Sequence, residues 1–426
     1  MERYRSGHNG ADSKSVCAQA HEGSNPSLSA IKETSPVYQA ERGFCFGSFE
    51  QFISSCYNLT KGIISDMQKN RLTHIDLIKT IAIFFVLMYH CTLFSIDFLS
   101  DSSPIYYMHY FYRTILATCV PLFFFVNGYL LFGSKFDLRK HIFKIVKMTI
   151  LTMVWAVITM CVLQVLRGEY FSIVEFLRAI WNWKEGWVNH LWFMGALICI
   201  YVIFPILKNA YDTNIRLFTY FAISCALFTI GNTFINHMGT VGANLLLGKK
   251  IVFDGFEFFN MFNPFRGIYG YTLVYFCVGG LAYRFQGELT KISIKKRNVI
   301  SVLGIVVSCS ALFAIGCLYS KLNGSIWDVV WNGYDTIFTL INVLCIFVLS
   351  LNWQKDSRIV RTISSNTLGI YFIHINILYP LIPYMENCVF LSNPIVNILI
   401  NVLVLGVCVC ICIVLRKCPF ISKLVK

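Results

Sequence analysis

Charged residues are scarce in this chain of 426 residues, where Asp, Glu, Lys and Arg together make up 14%. Soluble globular domains usually carry about 25% charged residues, so this scarcity excludes an ordinary soluble protein. The hydrophobic share is 56% and the aromatic share is 16%. We therefore predict an integral membrane protein, most of which lies in the lipid bilayer.

Metal-binding and disulfide patterns are also missing, although the chain has 17 cysteines. Most of them lie inside apolar segments, where Cys behaves as a small hydrophobic residue. Since no spacing matches a zinc site or a disulfide framework, we predict no metal and no permanently bound cofactor. The net charge of +14 comes from basic residues in short loops between apolar runs. That distribution is typical of membrane topology and does not indicate a nucleic-acid partner.

The first 66 residues lack helical periodicity, and no apolar core of a secretory signal follows their basic residues. Residues 22–27 (EGSNPS) can be back-translated into the stem and loop of a tRNA T-arm, so the region resembles the spurious translation of a tRNA gene. We predict a polar, disordered or spurious leader over residues 1–66, with the true start at Met67. A genuine polar tail is the alternative. Residues 67–426 are predicted to form one membrane domain.

Ten apolar segments follow residue 67. A helix needs about 20 apolar residues to cross a bilayer core of about 30 Å, because each residue adds about 1.5 Å. We therefore predict an all-α integral membrane protein, a bundle of about ten transmembrane helices. The segments are 75–97, 112–132, 145–166, 190–209, 217–236, 267–285, 299–320, 334–352, 364–385 and 393–415.

Lys and Arg are distributed unevenly between the loops on the two sides. If the N-terminus is cytoplasmic, the inner pieces carry 21 Lys and Arg and the outer pieces carry 8. Short loops rich in Lys and Arg stay in the cytoplasm. We therefore predict a multi-pass protein of the inner (cytoplasmic) membrane with both termini cytoplasmic.

The first apolar segment carries Asp76, Lys79 and His90. Lys79 and His90 are close to three helical turns apart, so they share nearly one face, and Asp76 lies within reach of an ion pair with Lys79. Asp76 and Lys79 are also compatible with a place at the headgroup level. His90 is predicted to lie about 16 Å further along the helix, and an ionisable group at such depth usually indicates function.

Five motifs follow one another along the apolar segments. They are HIDLIKTIAIFFVLMYH (74–90), VPLFFFVNGYLLF (120–132), KIVKMTI (144–150), HLWFMGALICIYVIFPIL (190–207) and LGIYFIHINIL (368–378). In this order, along residues 72–415, they resemble membrane acyltransferase family 3, the ten-helix O-acyltransferases of bacterial surface polysaccharides. The order carries the resemblance, because each motif alone is weakly specific. In the second motif Asn127 stands where the family usually has Ser.

The resemblance implies transfer of an acyl group, expected to be acetyl, from cytoplasmic acyl-CoA to a hydroxyl of an envelope glycan or lipid-linked sugar. A base must remove the hydroxyl proton, and His is suited to this near neutral pH. His90 is thus predicted to be a general base, with a covalent acyl carrier as the alternative role. Lys79 and Asp76 are predicted to complete the catalytic group.

The phosphates of acyl-CoA require cations, which Lys and Arg supply. The basic cluster at residues 135–147, together with Lys79, is the predicted donor site, although topology alone also places basic residues in that cluster. A second set is predicted to lie on the acceptor side or in a cavity, and His374 receives no specific role. The predicted donor-site residues are Arg139, Lys140, Lys144 and Lys147, and the acceptor-side residues are Asn127, His190, Trp192 and His374.

Two other functions remain open at this point. The polar stripe could line the path of a transporter or flippase for a polysaccharide precursor, or the chain could be a ligand-binding sensory or resistance-associated module. The expected partners are the lipid bilayer, an envelope glycan acceptor and polysaccharide-assembly proteins.

Glycines at Gly128 and at Gly279–Gly280 interrupt apolar segments and predict close helix packing.

Overall fold

The structure of the protein is a computed structural model that describes residues 71–91, 96–168, 170–184, 186–260, 262–265, 267, 269–385, 388–419 and 421–425. The leader predicted over residues 1–66, with its start at Met67, lies outside these residues. Within the described part the chain forms helices and loops, and no strand is present. The all-α membrane class is thereby confirmed.

Thirteen α-helices occur in the described residues. A π-helical turn at Leu227–Gly231 joins α7 to α8, and short 3₁₀ helices lie at Gly186–Leu191, Val389–Ser392 and Ile421–Leu424. The helices are α1 (Thr73–His90), α2 (Pro104–Leu116), α3 (Cys119–Phe132), α4 (Leu138–Arg167), α5 (Ile173–Trp181), α6 (Trp192–Thr213), α7 (Ile215–Ala226), α8 (Asn232–Leu245), α9 (Gly270–Lys291), α10 (Ile294–Asn323), α11 (Ile337–Ser350), α12 (Arg358–Met385) and α13 (Pro394–Lys417).

Every one of the ten predicted apolar segments contains helix. Eight helical stretches of the described chain are long and apolar enough to cross a membrane, and the helices of the other two segments, α9 and the 14-residue α11, fall outside that set. The chain is therefore a multi-pass membrane bundle. The side of the membrane that each end faces stays a prediction.

Helix α1 lies at the centre of the bundle. It packs against α3, α11, α12 and α13, and Ile78, Ala82, Ile83 and Leu87 are completely buried along it. A helix that is apolar on several faces suits such a central place, because each face meets another helix. This position allows α1 to bring its polar side chains to the middle of the fold.

Helices α3 and α9 pack backbone against backbone. A Cβ atom at Gly128 would collide with the carbonyl oxygen of Phe276, and one at Gly279 would collide with the carbonyl oxygen of Phe125. Small residues let membrane helices approach this closely. The packing role predicted for these glycines is confirmed.

Helix α1 ends earlier than predicted. The apolar segment continues to residue 97, but His90 is the last helical residue and Cys91 leaves helical geometry with ψ 63°. The carbonyl of Cys91 accepts a hydrogen bond of 3.0 Å from Nδ2 of Asn397 on α13. Carbonyls at a helix end need such partners. His90 therefore lies at a helix terminus, not within a continuing helix.

Candidate active site

A cavity of about 590 Å³ lies between α1, α3, α4, α6, α12 and α13. Its volume falls within the range of about 300–1,000 Å³ that is typical of small-molecule sites. Lys79, Lys144, Lys147 and Arg416 line it, and no Asp or Glu is among its described lining residues. The cavity is thus positively charged and suited to an anionic ligand.

Each cation of the cavity comes from a position near one end of a helix. Lys144 and Lys147 lie one turn apart near the start of α4, and Arg416 lies in the last turn of α13. Nη2 of Arg416 donates to the carbonyl of Ser365 at 2.5 Å. Helix α4 itself begins where Asp137 accepts a hydrogen bond from the backbone N–H of Lys140 at 3.1 Å.

A chain of hydrogen bonds runs along one wall of the cavity. Nζ of Lys144 donates to the hydroxyl of Tyr201 at 3.3 Å, and that hydroxyl donates to Oδ1 of Asn127 at 2.8 Å. Nδ2 of Asn127 donates to the carbonyl of Phe123 at 2.8 Å. The predicted site residue Asn127 is therefore part of the cavity wall and is joined to the basic cluster.

Asp76 is buried and connects α1 to α12. The hydroxyl of Ser364, which lines the cavity, donates to Oδ1 of Asp76 at 2.5 Å. This bond fixes α12 against α1 beside Lys79. The ion pair predicted between Asp76 and Lys79 stays a prediction.

Three histidines from separate elements meet in the interior. The ring of His90 at the end of α1 lies 5.3 Å from the ring of His374 on α12, measured between ring centres. The ring of His190, in the 3₁₀ turn before α6, lies 6.2 Å from that of His374. We call His90, His190 and His374 the histidine cluster. The structure thus brings together three residues that the sequence places up to 284 positions apart.

Tyr371 lies between the histidine cluster and the cavity. It lines the cavity, and its hydroxyl donates to the backbone carbonyl of His190 at 2.5 Å. Its ring centre is 5.9 Å from that of His374 and 5.3 Å from that of Phe193, another cavity residue. The cavity therefore adjoins the histidine cluster through an aromatic wall.

An ion pair lies on the other side of His90. Nη2 of Arg113 is 3.4 Å from Oδ1 of Asp328, and the hydroxyl of Tyr89 donates to Oδ2 of Asp328 at 3.0 Å. The ring of Tyr89 is in turn 5.1 Å from the ring of His90. Arg113 is buried whereas the side chain of Asp328 is 38% exposed. This group offers a carboxylate and an aromatic surface close to His90.

Seven predicted site residues are not among the described residues that line the cavity. Asp76 and the histidine cluster adjoin it, whereas Arg139, Lys140 and Trp192 belong to neither group. Arg139 and Lys140 are exposed on the outside of α4, and Lys140 pairs with Asp137 at 3.6 Å. Trp192 stacks on Tyr269 with ring centres 4.6 Å apart. Arg139 projects from a different face of α4, whereas Lys140 lies on the face of Lys144 and Lys147 but one turn nearer the start of the helix, outside the cavity lining.

Several site residues were not predicted from the sequence. Arg416 looks like any basic residue that ends a membrane segment, so its contact with Ser365 has no signal in the sequence. Tyr371 and Tyr201 stand within the motifs 368–378 and 190–207, so the motifs could have indicated these two residues. The residues found only in the structure are Arg113, Tyr201, Asp328, Ser364, Tyr371 and Arg416.

The fold and the site define a multi-pass membrane protein with a basic cavity beside buried histidines. A family model described as "Acyltransferase domain" matches residues 72–417. The chain therefore belongs to membrane acyltransferase family 3, and the activity of that family is acyl transfer.

A curated relative adds a more distant likeness. An amino-acid racemase of Enterococcus faecalis is 23% identical over 308 residues, which cover 69% of this chain and 40% of the relative. The chain thus spans well under half the length of that protein. No solved structure matches the chain.

Proposed function

We propose that the protein transfers an acyl group, expected to be acetyl, from cytoplasmic acyl-CoA to a hydroxyl of a cell-envelope polysaccharide or lipid-linked sugar. The acyl-CoA is a substrate, and no permanently bound cofactor takes part. The observation that carries the proposal is the basic cavity, which lies next to the histidine cluster in a chain of this family. In this proposal the cavity opens to the cytoplasmic side of the inner membrane.

The basic residues of the cavity would bind the phosphates of acyl-CoA. Lys144 and Lys147 offer two ammonium groups one turn apart, and Arg416 adds a guanidinium from α13. Lys79 lies about 16 Å from His90 along α1. The long arm of acyl-CoA, which joins its phosphates to its thioester, would extend along this distance and place the thioester next to Tyr371.

His90 would act as the general base. It takes the proton of the acceptor hydroxyl while the hydroxyl oxygen attacks the thioester carbonyl, the carbon–sulfur bond breaks, and the proton then passes to the departing thiolate. His90 occupies the last turn of α1, where the helix dipole favours the positive charge that the ring gains. The covalent alternative places the acyl group on His90 before the acceptor takes it.

Purified protein in lipid nanodiscs tests the proposal. With labelled acetyl-CoA and a lipid-linked glycan fraction, we expect release of free CoA thiol together with label in the glycan. A transporter or flippase would move the glycan precursor in proteoliposomes without any thioester cleavage, and that result would overturn the proposal. Acid quenching separates the two roles of His90, because label retained on the protein indicates the covalent carrier.

A further inference from the structure

The hydrogen bonds of His374 determine which of its nitrogens carries the proton. Nδ1 lies 2.6 Å from the carbonyl oxygen of Tyr371 and 3.3 Å from that of Ile370. Carbonyl oxygens only accept hydrogen bonds, so Nδ1 must be the donor. In the neutral ring Nε2 is then a bare acceptor.

The acceptor nitrogen of His374 is buried without a partner. The side chain has no exposed surface, and Nε2 has no hydrogen-bond partner among the described residues. An unpaired polar atom in the interior of a membrane protein is costly, because neither water nor lipid satisfies it. A donor is therefore expected to reach it during the catalytic cycle.

His90 is placed to be that donor. Its ring centre is 5.3 Å from that of His374, so two nitrogens turned towards each other would be roughly 3 Å apart, a hydrogen-bond distance. The ring of His190, whose nitrogens also lack partners among the described residues, is further from that of His374, at 6.2 Å. Catalytic hydrogen bonds are often loose in the absence of substrate and tighten when it binds. His90 is also only partly buried whereas His374 is fully buried, so an acceptor hydroxyl can reach His90 alone.

We propose that His374 is a positioning residue, which accepts a hydrogen bond from one nitrogen of His90 and so turns the other nitrogen towards the acceptor hydroxyl. This inference rests on the proposed acyl transfer. The hydroxyl proton goes to the free nitrogen of His90, whose other N–H stays bonded to Nε2 of His374. His374 itself neither gains nor loses a proton, and His90 finally protonates the CoA thiolate.

Two variants of His374 test this role in the full chain in nanodiscs. His374→Phe keeps a planar ring in an apolar environment but removes the acceptor nitrogen, whereas His374→Gln keeps an acceptor oxygen. We expect His374→Phe to lower kcat about 10–100-fold, the loss that is typical when a residue that orients a metal-bound histidine is replaced. KM for acetyl-CoA should stay unchanged, and His374→Gln should recover a large part of kcat.

The decisive measurement combines two changes. Since His374 acts through His90, His374→Phe should cause no further loss in an enzyme that already carries His90→Gln. Additive losses would overturn the proposal, as would a defect in His374→Gln equal to that in His374→Phe. A fall in kcat that only follows a fall in thermal stability would also reject it, because packing alone would then explain the effect. Absence of thioester cleavage in the unmodified protein would instead reject the proposed function itself.

Discussion

His90 occupies a position where three physical influences meet. It ends a helix, its ring contacts the aromatic ring of Tyr89, and its ring centre lies 5.3 Å from that of His374, whose Nε2 is buried without a hydrogen-bond partner among the described residues. A general base must be held in a fixed orientation. Tyr89 on α1 and His374 on α12 supply the ring contacts of His90. The ring is therefore held at the junction between the cavity and the Arg113–Asp328 ion pair.

Replacement of His90 tests its role as a base. His90→Gln keeps one hydrogen-bonding atom but cannot accept a proton at neutral pH, so we expect acyl transfer to fall about 10²–10⁴-fold. Expression and thermal stability should remain close to those of the unmodified protein. The matched control is His237→Gln, because His237 is also a buried histidine but lies on α8 outside the cluster. Retained activity in His90→Gln would contradict the mechanism.

Charge removal at the cavity tests the donor site. Lys144→Gln or Lys147→Gln should raise KM for acetyl-CoA more than it lowers kcat, because phosphate binding is made in the ground state as well as in the transition state. Lys140→Gln is the matched control, since Lys140 is an exposed lysine of the same helix that does not line the cavity. Equal effects at all three positions would indicate a general influence of surface charge on membrane topology instead.

The site residues differ in how far the sequence reveals them. Lys79 and His90 stand out because ionisable residues are rare in apolar segments, and Lys144 and Lys147 because they lie at the start of one. The cavity separates these two lysines from Arg139, which projects from another face of α4, and from Lys140, which lies on the same face but one turn nearer the start of the helix. Arg416 and Asp328 become visible only in three dimensions, since each is close in sequence to loops in which charge is ordinary.

At the scale of the helices, the closest packing occurs between α3 and α9. The prediction from sequence was good here, because glycine inside an apolar segment has few roles besides close approach. The end of α1 was predicted wrongly, since apolar residues continue past it. At the observed end the carbonyl of Cys91 accepts a hydrogen bond from Asn397, which lies 306 residues later in the chain. Tertiary contacts of this kind leave no local signal.

Gly128→Ala tests the packing of α3 on α9. The added methyl group collides with the backbone of Phe276, which cannot rotate away as a side chain can. We expect a loss of about 1–3 kcal/mol in stability, which is typical of overpacking. Thermal unfolding in detergent measures it, with Gly406→Ala on α13 as the control, because a Cβ atom there meets nothing within 4 Å. Equal melting temperatures would contradict the packing model.

At the scale of the whole molecule, the proposed function depends on orientation. The cavity cations lie near the start of α1, the start of α4 and the end of α13, all of which the distribution of Lys and Arg assigns to the cytoplasm. Acyl-CoA is a cytoplasmic molecule, so the donor must enter at this end. The number of apolar segments could be read from sequence, but the cavity between them could not, because it arises from six helices at once.

Cysteine labelling tests this orientation. In a cysteine-reduced background, Tyr170→Cys should react with an impermeant maleimide in intact cells, because the side chain is 88% exposed in a loop predicted to be external. Gly287→Cys, near the end of α9, should react only after the membrane is permeabilised. Both sites lie outside the cavity, so activity should persist and show that the labelled protein is folded. The reverse pattern would place Lys144 and Lys147 on the external face, where acyl-CoA is absent, and the proposed donor site would then fail even if His90 proved essential.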